Sequence, residues 1–319
     1  MKIAVLVPFR SSDIERIAER FPDADICVAP AAAAEEQIRL LSDAEIVIGE
    51  PEYEAIEASD SLRLVQMTWA GTDKYTRSGR AFPNGITLAS ASGAFGQGMA
   101  QYALGVILSL YRRIPDYLKL KAEHRWLELP AERSVAGKSV LIFGSGNVGG
   151  SVAKLLRAAG AERIIGVRRN IAETPPEFDA VCSLEDAEGY IPDADIVIGC
   201  MPNTDENQGY FTERRLRSMK HDAVLVNMGR GAFVDCTALS RVLNDGHLYG
   251  AALDVTEPEP LPPDHPLWDC ERLILTPHMA GPSFGCPETE QAILEICLDN
   301  IGRYKRGEPI RNKVLPAER

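Results

Sequence analysis

No apolar run in this chain is long enough to cross a bilayer. The longest, Tyr102 to Leu110, is interrupted by Gly105 and Ser109 and falls far short of the roughly 20 residues a spanning helix needs. The N-terminal run Met1-Lys-Ile-Ala-Val-Leu-Val-Pro-Phe-Arg10 is too short for a secretory signal, and no small-residue cleavage site follows it before the acidic segment begins. It reads as a buried first strand of a soluble protein. Basic residues are in deficit, with 34 Lys and Arg against 46 Asp and Glu and a formal charge of −12. That balance argues against nucleic acid or an anionic membrane as a general partner, and an anionic substrate would need local cations. The seven cysteines are odd in number, scattered, and form no C-x-x-C pair. They read as reduced thiols of a cytoplasmic protein, with no support for a metal site. There is no internal repeat, and the only biased tract, residues 31 to 34, reads as the start of a helix.

A chain of 319 residues, 45% of them hydrophobic, can bury a large core and is expected to form two domains. Short apolar runs recur at residues 3–7, 26–29, 46–49, 64–67 and 86–89, with helical patterns at 12–20 and 33–41 between the early ones. Strands alternating with helices imply a parallel sheet. A long, broadly apolar helix is expected over about residues 99–121, strained near Pro115. A second series of strands follows at 139–143, 163–167, 195–200, 223–227, 249–253 and 273–276. Asp235 caps a helix between the fourth and fifth of these, and Gly246 marks its end. A last helix over 287–306 is expected to return to the first domain. The fold class is therefore α/β, two doubly wound parallel-sheet domains with a cleft between them: residues 1–98 plus 287–319, and residues 99–286.

The run Val140 to Phe143 leads into Gly144-Ser145-Gly146-Asn147-Val148-Gly149, and a helical pattern follows with Val152, Leu155, Leu156 and Ala159 on one face. A lone G-x-G-x-x-G can be merely a tight turn. Between a strand and a helix it is the dinucleotide fingerprint, with the pyrophosphate at the helix N-terminus. Three later strands end in unusual polar residues. After 223–226 comes Asn227-Met228-Gly229-Arg230-Gly231, where the guanidinium could grip a carboxylate or keto oxygen bidentately; a salt bridge on a loop is the other reading. After 249–253 comes Asp254-Val-Thr-Glu-Pro-Glu259-Pro-Leu-Pro262, an acidic loop stiffened by proline. After 273–276 comes His278, which can give and take a proton at working pH, and a nearby carboxylate favours its charged form.

Taken together, these motifs resemble the NAD(P)-dependent D-2-hydroxyacid dehydrogenase family. The resemblance extends over nearly the whole chain and includes Cys200-Met201-Pro202-Asn-Thr204, Arg230-Gly231 with Val234-Asp235, Ala252-Leu-Asp-Val255, Pro266-Leu-Trp268 and Thr276-Pro-His278. It implies a flavodoxin-like substrate domain and a Rossmann cofactor domain. It makes His278 the acid/base, Glu259 its partner and Arg230 the residue that binds and polarises a 2-oxo acid. Trp69, Ala70 and Gly71 resemble the family's substrate loop, whose backbone amides hold the substrate carboxylate. The cofactor residues it implies are 144–149, Arg168, Arg169, Cys200, Met201, Pro202, Met228, Gly229, Asp254 (to the nicotinamide carboxamide) and His278.

Where NAD-using relatives carry an acid after the second Rossmann strand, this chain has Arg168-Arg169-Asn170. Two arginines about twenty residues beyond the turn suit the 2′-phosphate of NADP; exposed arginines with NAD as cofactor are the other reading. Met99-Ala-Gln-Tyr102, Arg112-Arg113 and Trp126 resemble the glyoxylate/hydroxypyruvate reductase branch. The resemblance thus implies an NADPH-preferring reductase of a small 2-oxo acid, glyoxylate, hydroxypyruvate or a bulkier analogue. A formate dehydrogenase is disfavoured because Glu259 stands where that branch has glutamine, and a phosphoglycerate dehydrogenase because 315–319 leave no room for a regulatory domain. An NAD-dependent dehydrogenase of another 2-hydroxy acid, or a redox-sensing regulator on the same fold, is the alternative. A homodimer is implied through the long helix and an arm from about Tyr117 to Arg133. Trp126 either reaches a partner's site or anchors that arm to the core, the latter being favoured. Tyr53, Trp69, Trp126 and Trp268 are candidate walls of the substrate pocket.

Overall fold

The computed structural model describes residues 1–77, 79–129 and 133–314. The chain divides into two compact units, Met1–Phe95 with Pro282–Arg319, and Gly96–Gly281.

The first unit holds a five-stranded parallel sheet of β1 (Lys2–Val5), β2 (Asp25–Val28), β3 (Ile46–Ile48), β4 (Leu64–Gln66) and β5 (Thr87–Ala89), in the order β2-β1-β3-β4-β5. This is the flavodoxin-like order. Ile46, Val47 and Ile48 are wholly buried, as expected of a parallel strand covered on both faces. The connections carry α1 (Ser11–Arg20), α2 (Ala34–Leu41), α3 (Tyr53–Glu57) and α4 (Asp73–Thr76). The tract at 31–34 does not start a helix at its first residue: Ala31 is left-handed (φ 63) and α2 begins at Ala34.

The second unit begins with α5 (Gly96–Tyr111) and α6 (Ile114–Ala122). Here the expected single helix over 99–121 is corrected. Pro115 has no amide to donate, and its ring clashes with the carbonyl four residues earlier, that of Tyr111. The helix therefore stops at Tyr111, Arg113 turns left-handed (φ 55), and α6 starts with the proline in its first turn. A seven-stranded parallel sheet follows: β6 (Ser139–Phe143), β7 (Arg163–Val167), β8 (Ala180–Cys182), β9 (Ile196–Gly199), β10 (Val224–Asn227), β11 (Gly250–Leu253) and β12 (Leu273–Leu275), ordered β12-β11-β10-β9-β6-β7-β8. The helices α7 (Asn147–Ala158), α8 (Glu213–Ser218) and α9 (Cys236–Asn244) cover it. Chain order reverses between β6 and β9, the switch point at which open α/β sheets bind ligands. The edge strand β8 was absent from the strand series read above; three residues are too few to register as a pattern. Asp235 caps α9 as expected, accepting from the Ala238 amide at 2.9 Å.

The last helix, α10 (Pro287–Arg306), has the predicted limits and belongs to the first unit. Proline and acids occupy its first turn, basic residues its last, and left-handed Gly307 (φ 67) ends it, each choice matching the helix dipole or its free ends. Buried Asn300 ties it to β4 through a 2.7 Å bond to Gln66. Among the described residues no helix is long and apolar enough to cross a membrane.

Candidate active site

At the switch point, buried β6 delivers the chain to Gly144, whose φ of 104 admits few residues besides glycine. A Cβ there would sit 3.0 Å from the Cys200 carbonyl at the end of β9, and one on Gly149 would overlap the Gly144 carbonyl itself. The turn is thus closed by atoms, and α7 starts directly after it with its first amides unsatisfied by the helix. Beside the turn lies a cavity of about 340 Å³ whose lining includes Gly144, Ser145, Gly146, Arg168, Arg169, Met201 and Pro202, with one acid, Glu206. Ser145 Oγ is buried and meets no hydrogen-bond partner among the described residues. Neither Arg168 nor Arg169 forms an ion pair among them. A buried hydroxyl, free helix amides and two uncommitted guanidiniums fit a phosphate-bearing dinucleotide. Cys200, just after β9, is a neutral thiol: its Sγ donates toward the Gly144 carbonyl at 3.1 Å, and burial pushes its pKa up to about 12. Of the other expected cofactor residues, Gly146 and Asn147 are exposed and Val148 half-buried. Met228 lies in the core with its amide bonded to the Gly199 carbonyl.

The strands β10, β11 and β12 are parallel neighbours, so the segments that follow them leave the same sheet edge. The Asn227 side chain, fully buried, folds back on the first of these segments: Nδ2 donates to the Arg230 carbonyl at 2.9 Å and Oδ1 accepts from the Gly229 amide at 3.3 Å. A Cβ on Gly231 would overlap the Thr256 carbonyl. Arg230 is therefore held between two fixed neighbours, with Nη1 donating to the Gly229 carbonyl at 2.7 Å.

His278 is left-handed (φ 53), a conformation that costs a non-glycine residue energy and persists only where neighbours enforce it. Asp254 does so. It is 2% exposed; Oδ1 accepts from the Met279 amide at 2.8 Å and from Thr276 Oγ1 at 2.6 Å, Oδ2 accepts from the Ala280 amide at 2.8 Å, and its carbonyl accepts the His278 amide at 2.8 Å. Because a carboxylate only accepts, Thr276 must donate to it, and the Tyr102 hydroxyl, 2.7 Å from Thr276 Oγ1, donates in turn. Burial pushes Tyr102 up to about 12, so it keeps that proton. Replacing Thr276 by valine strands the Tyr102 hydroxyl and strips a donor from Asp254. A stability loss of about 1–3 kcal/mol is expected, read as a lowered urea midpoint.

The imidazole itself meets Glu259: Nδ1 lies 2.7 Å from Oε1. Both side chains are about half exposed, and ion pairs of that kind add little stability. What the contact fixes is the tautomer. Nδ1 carries the hydrogen toward the carboxylate, and Nε2 is left to exchange protons with a bound molecule.

In the first unit, Trp69 and Ala70 are exposed beyond β4, and no acceptor meets the Ala70 or Gly71 amides among the described residues. Glu50, which no motif singles out, binds the preceding amides: Oε1 accepts from Thr68 at 2.6 Å and from Trp69 at 3.1 Å. One of the four candidate walls needs correction. Tyr53 is buried in an aromatic cluster with Tyr75 and Phe82, so it is core. Trp126 is fully exposed and does not anchor the arm; residues 130–132 of that arm lie outside the described residues. Trp268 is half exposed, its indole donating to the Pro262 carbonyl at 2.8 Å.

A carboxylate-braced imidazole on the same sheet as a dinucleotide crevice equips a protein to move a proton as a nicotinamide moves a hydride. That chemistry defines the NAD(P)-dependent oxidoreductases. Residues 104–280 match the family described as D-isomer specific 2-hydroxyacid dehydrogenase, NAD binding domain, and the chain belongs to that family. It is 33% identical over 219 residues to glyoxylate/hydroxypyruvate reductase A of Escherichia fergusonii, covering 69% of this chain and 68% of that one. A crystal structure of a D-isomer specific 2-hydroxyacid dehydrogenase family protein from Aeromonas salmonicida superposes with a TM-score of 0.87 at 29% identity, covering 98% of both chains. Another, from Xanthobacter autotrophicus in complex with NADPH and MES, gives 0.79 at 27% identity, covering 99% of this chain and 98% of that one.

Proposed function

We propose that the protein reduces a small 2-oxo acid, of the glyoxylate or hydroxypyruvate kind or bulkier, to the D-2-hydroxy acid, with NADPH preferred over NADH. The observation that carries this reading is the 2.7 Å contact between His278 and Glu259 in a family of 2-hydroxyacid dehydrogenases. When bound, the reduced nicotinamide supplies the hydride. Residues 144–149 and the first turn of α7 hold the pyrophosphate, with Ser145 Oγ available to it. Arg168 and Arg169 take the 2′-phosphate, a reading supported by their both lining that cavity with no ion pair among the described residues, Glu206 on its lining included. Met201 and Pro202, which line the crevice, contact the cofactor, with Cys200 and Gly229 supporting that wall from behind. The Asp254 carboxylate sets the turn that carries His278, and its Oδ2, which accepts only the Ala280 amide among the described residues, takes the carboxamide.

On the substrate, the amides of Ala70 and Gly71 take the carboxylate. Arg230 binds beside the keto oxygen and stabilises the negative charge that develops there, where fixed charge contributes most to rate. His278 gives its Nε2 proton to that oxygen, and Glu259 holds the ring and balances its charge. The reverse sequence oxidises the hydroxy acid. Exposed Trp126 on the arm after α6 and the seven unpaired cysteines favour a homodimer working in the cytoplasm.

Purified protein with a panel of 2-oxo acids and both cofactors tests the reading through loss of reduced-nicotinamide absorbance. Turnover of at least one acid is expected; none, with either cofactor, would leave the redox-sensing regulator in its place. Replacing both Arg168 and Arg169 by alanine is expected to raise the KM for NADPH by about 10²-fold, the equivalent of two charge-assisted hydrogen bonds, and to leave that for NADH within about threefold. Equal effects on the two cofactors overturn the 2′-phosphate assignment.

A further inference from the structure

The loop after β4 carries two amides, of Ala70 and Gly71, that meet no acceptor among the described residues, and surface backbone keeps one shape only if something holds it. The restraint comes from β3. The two strands are parallel neighbours, with Ile48 level with Gln66, so the segments beyond them run side by side. Glu50, two residues past β3, reaches Thr68, two residues past β4. One carboxylate oxygen takes two successive amides, Thr68 at 2.6 Å and Trp69 at 3.1 Å, and the Thr68 hydroxyl lies 3.2 Å from each oxygen. Thr68 is fully buried. The other end of the loop is tied to the same residue: Lys74 Nζ donates to the Glu50 carbonyl at 2.9 Å. Glu50 thus pins positions 68, 69 and 74, and between the pins lie Ala70 and Gly71.

We infer that Glu50 is a positioning residue for the substrate: by holding the Thr68 and Trp69 amides it presents the next two, of Ala70 and Gly71, to the substrate carboxylate. The inference rests on the proposed reduction of a 2-oxo acid. A merely structural acid would suffice anywhere on this edge. Here the bonded amides directly precede the pair that meets no acceptor among the described residues, so a rotation of the loop would turn the donors away from an incoming anion. The Glu50 charge is also blunted where it would otherwise repel that anion. Its Oε1 is covered by the two amides, and burial pushes its carboxyl above the ordinary carboxylate range. Glutamine at this position keeps an acceptor for both amides and removes the charge. Aspartate keeps the charge but falls one methylene short. Alanine removes both.

The test is steady-state kinetics of Glu50→Ala, Glu50→Asp and Glu50→Gln with the 2-oxo acid the wild type turns over fastest, alongside binding of oxamate, a non-reducible analogue, to the NADPH complex. For Glu50→Ala and Glu50→Asp, KM and the oxamate Kd are expected to rise by about tenfold or more, as for a misplaced binding group. Their kcat is expected to stay within about threefold and NADPH affinity to be unchanged. Glu50→Gln is expected to restore the wild-type KM or to lower it. Should the alanine variant fail to fold, the aspartate variant carries the same prediction. Wild-type KM in the aspartate variant, a parallel fall in kcat and NADPH affinity, or failure of glutamine to restore KM overturns the inference. A wild type that turns over no 2-oxo acid overturns instead the function on which it rests.

Discussion

Replacing His278 by alanine is expected to lower kcat for reduction by about 10²- to 10⁴-fold, the range that a positioned proton donor contributes, while the Kd for NADPH stays within about twofold. The expectation follows from how the imidazole is held. Nδ1 is committed to Glu259 at 2.7 Å, so only Nε2 can reach a bound keto oxygen. The left-handed backbone at 278 and the Asp254 carboxylate beneath the turn leave the ring little freedom to find another pose. His278→Gln discriminates between proton transfer and simple shape: its amide can still bond Glu259, yet it cannot protonate an oxygen at neutral pH. If glutamine retained most of the wild-type turnover, the histidine would be a positioning group and the proton would come from water. Glu259→Gln should fall between the two, because it preserves an acceptor for Nδ1 but removes the charge that balances the ring while it carries the proton it donates. A loss in Glu259→Gln as large as in His278→Ala would mean that the pair acts only as a unit.

How much of this could be read in the chain depended on how local the cause was. The dinucleotide turn is local: strand, three glycines and helix lie within twenty residues, and Gly144 and Gly149 are fixed by atoms of the same turn and of the strand beside it. The sheet-forming runs were legible because a buried parallel strand is apolar throughout, and α10 because its ends carry proline, acids, bases and glycine in the order that the dipole demands. The break between α5 and α6 was misplaced by reading Pro115 as a kink, although its effect falls on the carbonyl of Tyr111 and ends the helix there. Tyr53 read as a pocket wall because an aromatic near a strand end suits either role; only the packing of Tyr75 and Phe82 against it decides for core. Glu50 was invisible for a different reason. Its partners are backbone amides 18 and 19 residues away, and a backbone amide leaves no mark in a sequence. Asp254 was singled out from the motif, but its hold on the turn around His278 could not be: residues 276, 279 and 280 meet it only because β11 and β12 are paired.

The second large effect is expected at Arg230. Changing it to alanine should lower kcat/KM for the 2-oxo acid by about 10²- to 10³-fold, the cost of removing one preorganised donor from a site of developing negative charge. Most of that loss should appear in kcat if the guanidinium acts on the transition state, and in KM if it only binds the acid. Arg230→Lys separates charge from geometry. Lysine keeps the positive charge but not the planar pair of parallel donors, so it should recover less than a tenth of the lost activity if the fork is what matters. The backbone around the residue makes this a clean comparison. Asn227 bonds the Arg230 carbonyl and the Gly229 amide through its own side chain, and Gly231 is packed against Thr256, so neither substitution removes what shapes the turn. The competing view, that Arg230 is a surface arginine serving only the loop, predicts the opposite pattern: a lowered Tm with kcat/KM intact. An alanine variant with wild-type kcat/KM would remove Arg230 from the chemistry and leave His278 without the charge that its proton transfer is proposed to accompany.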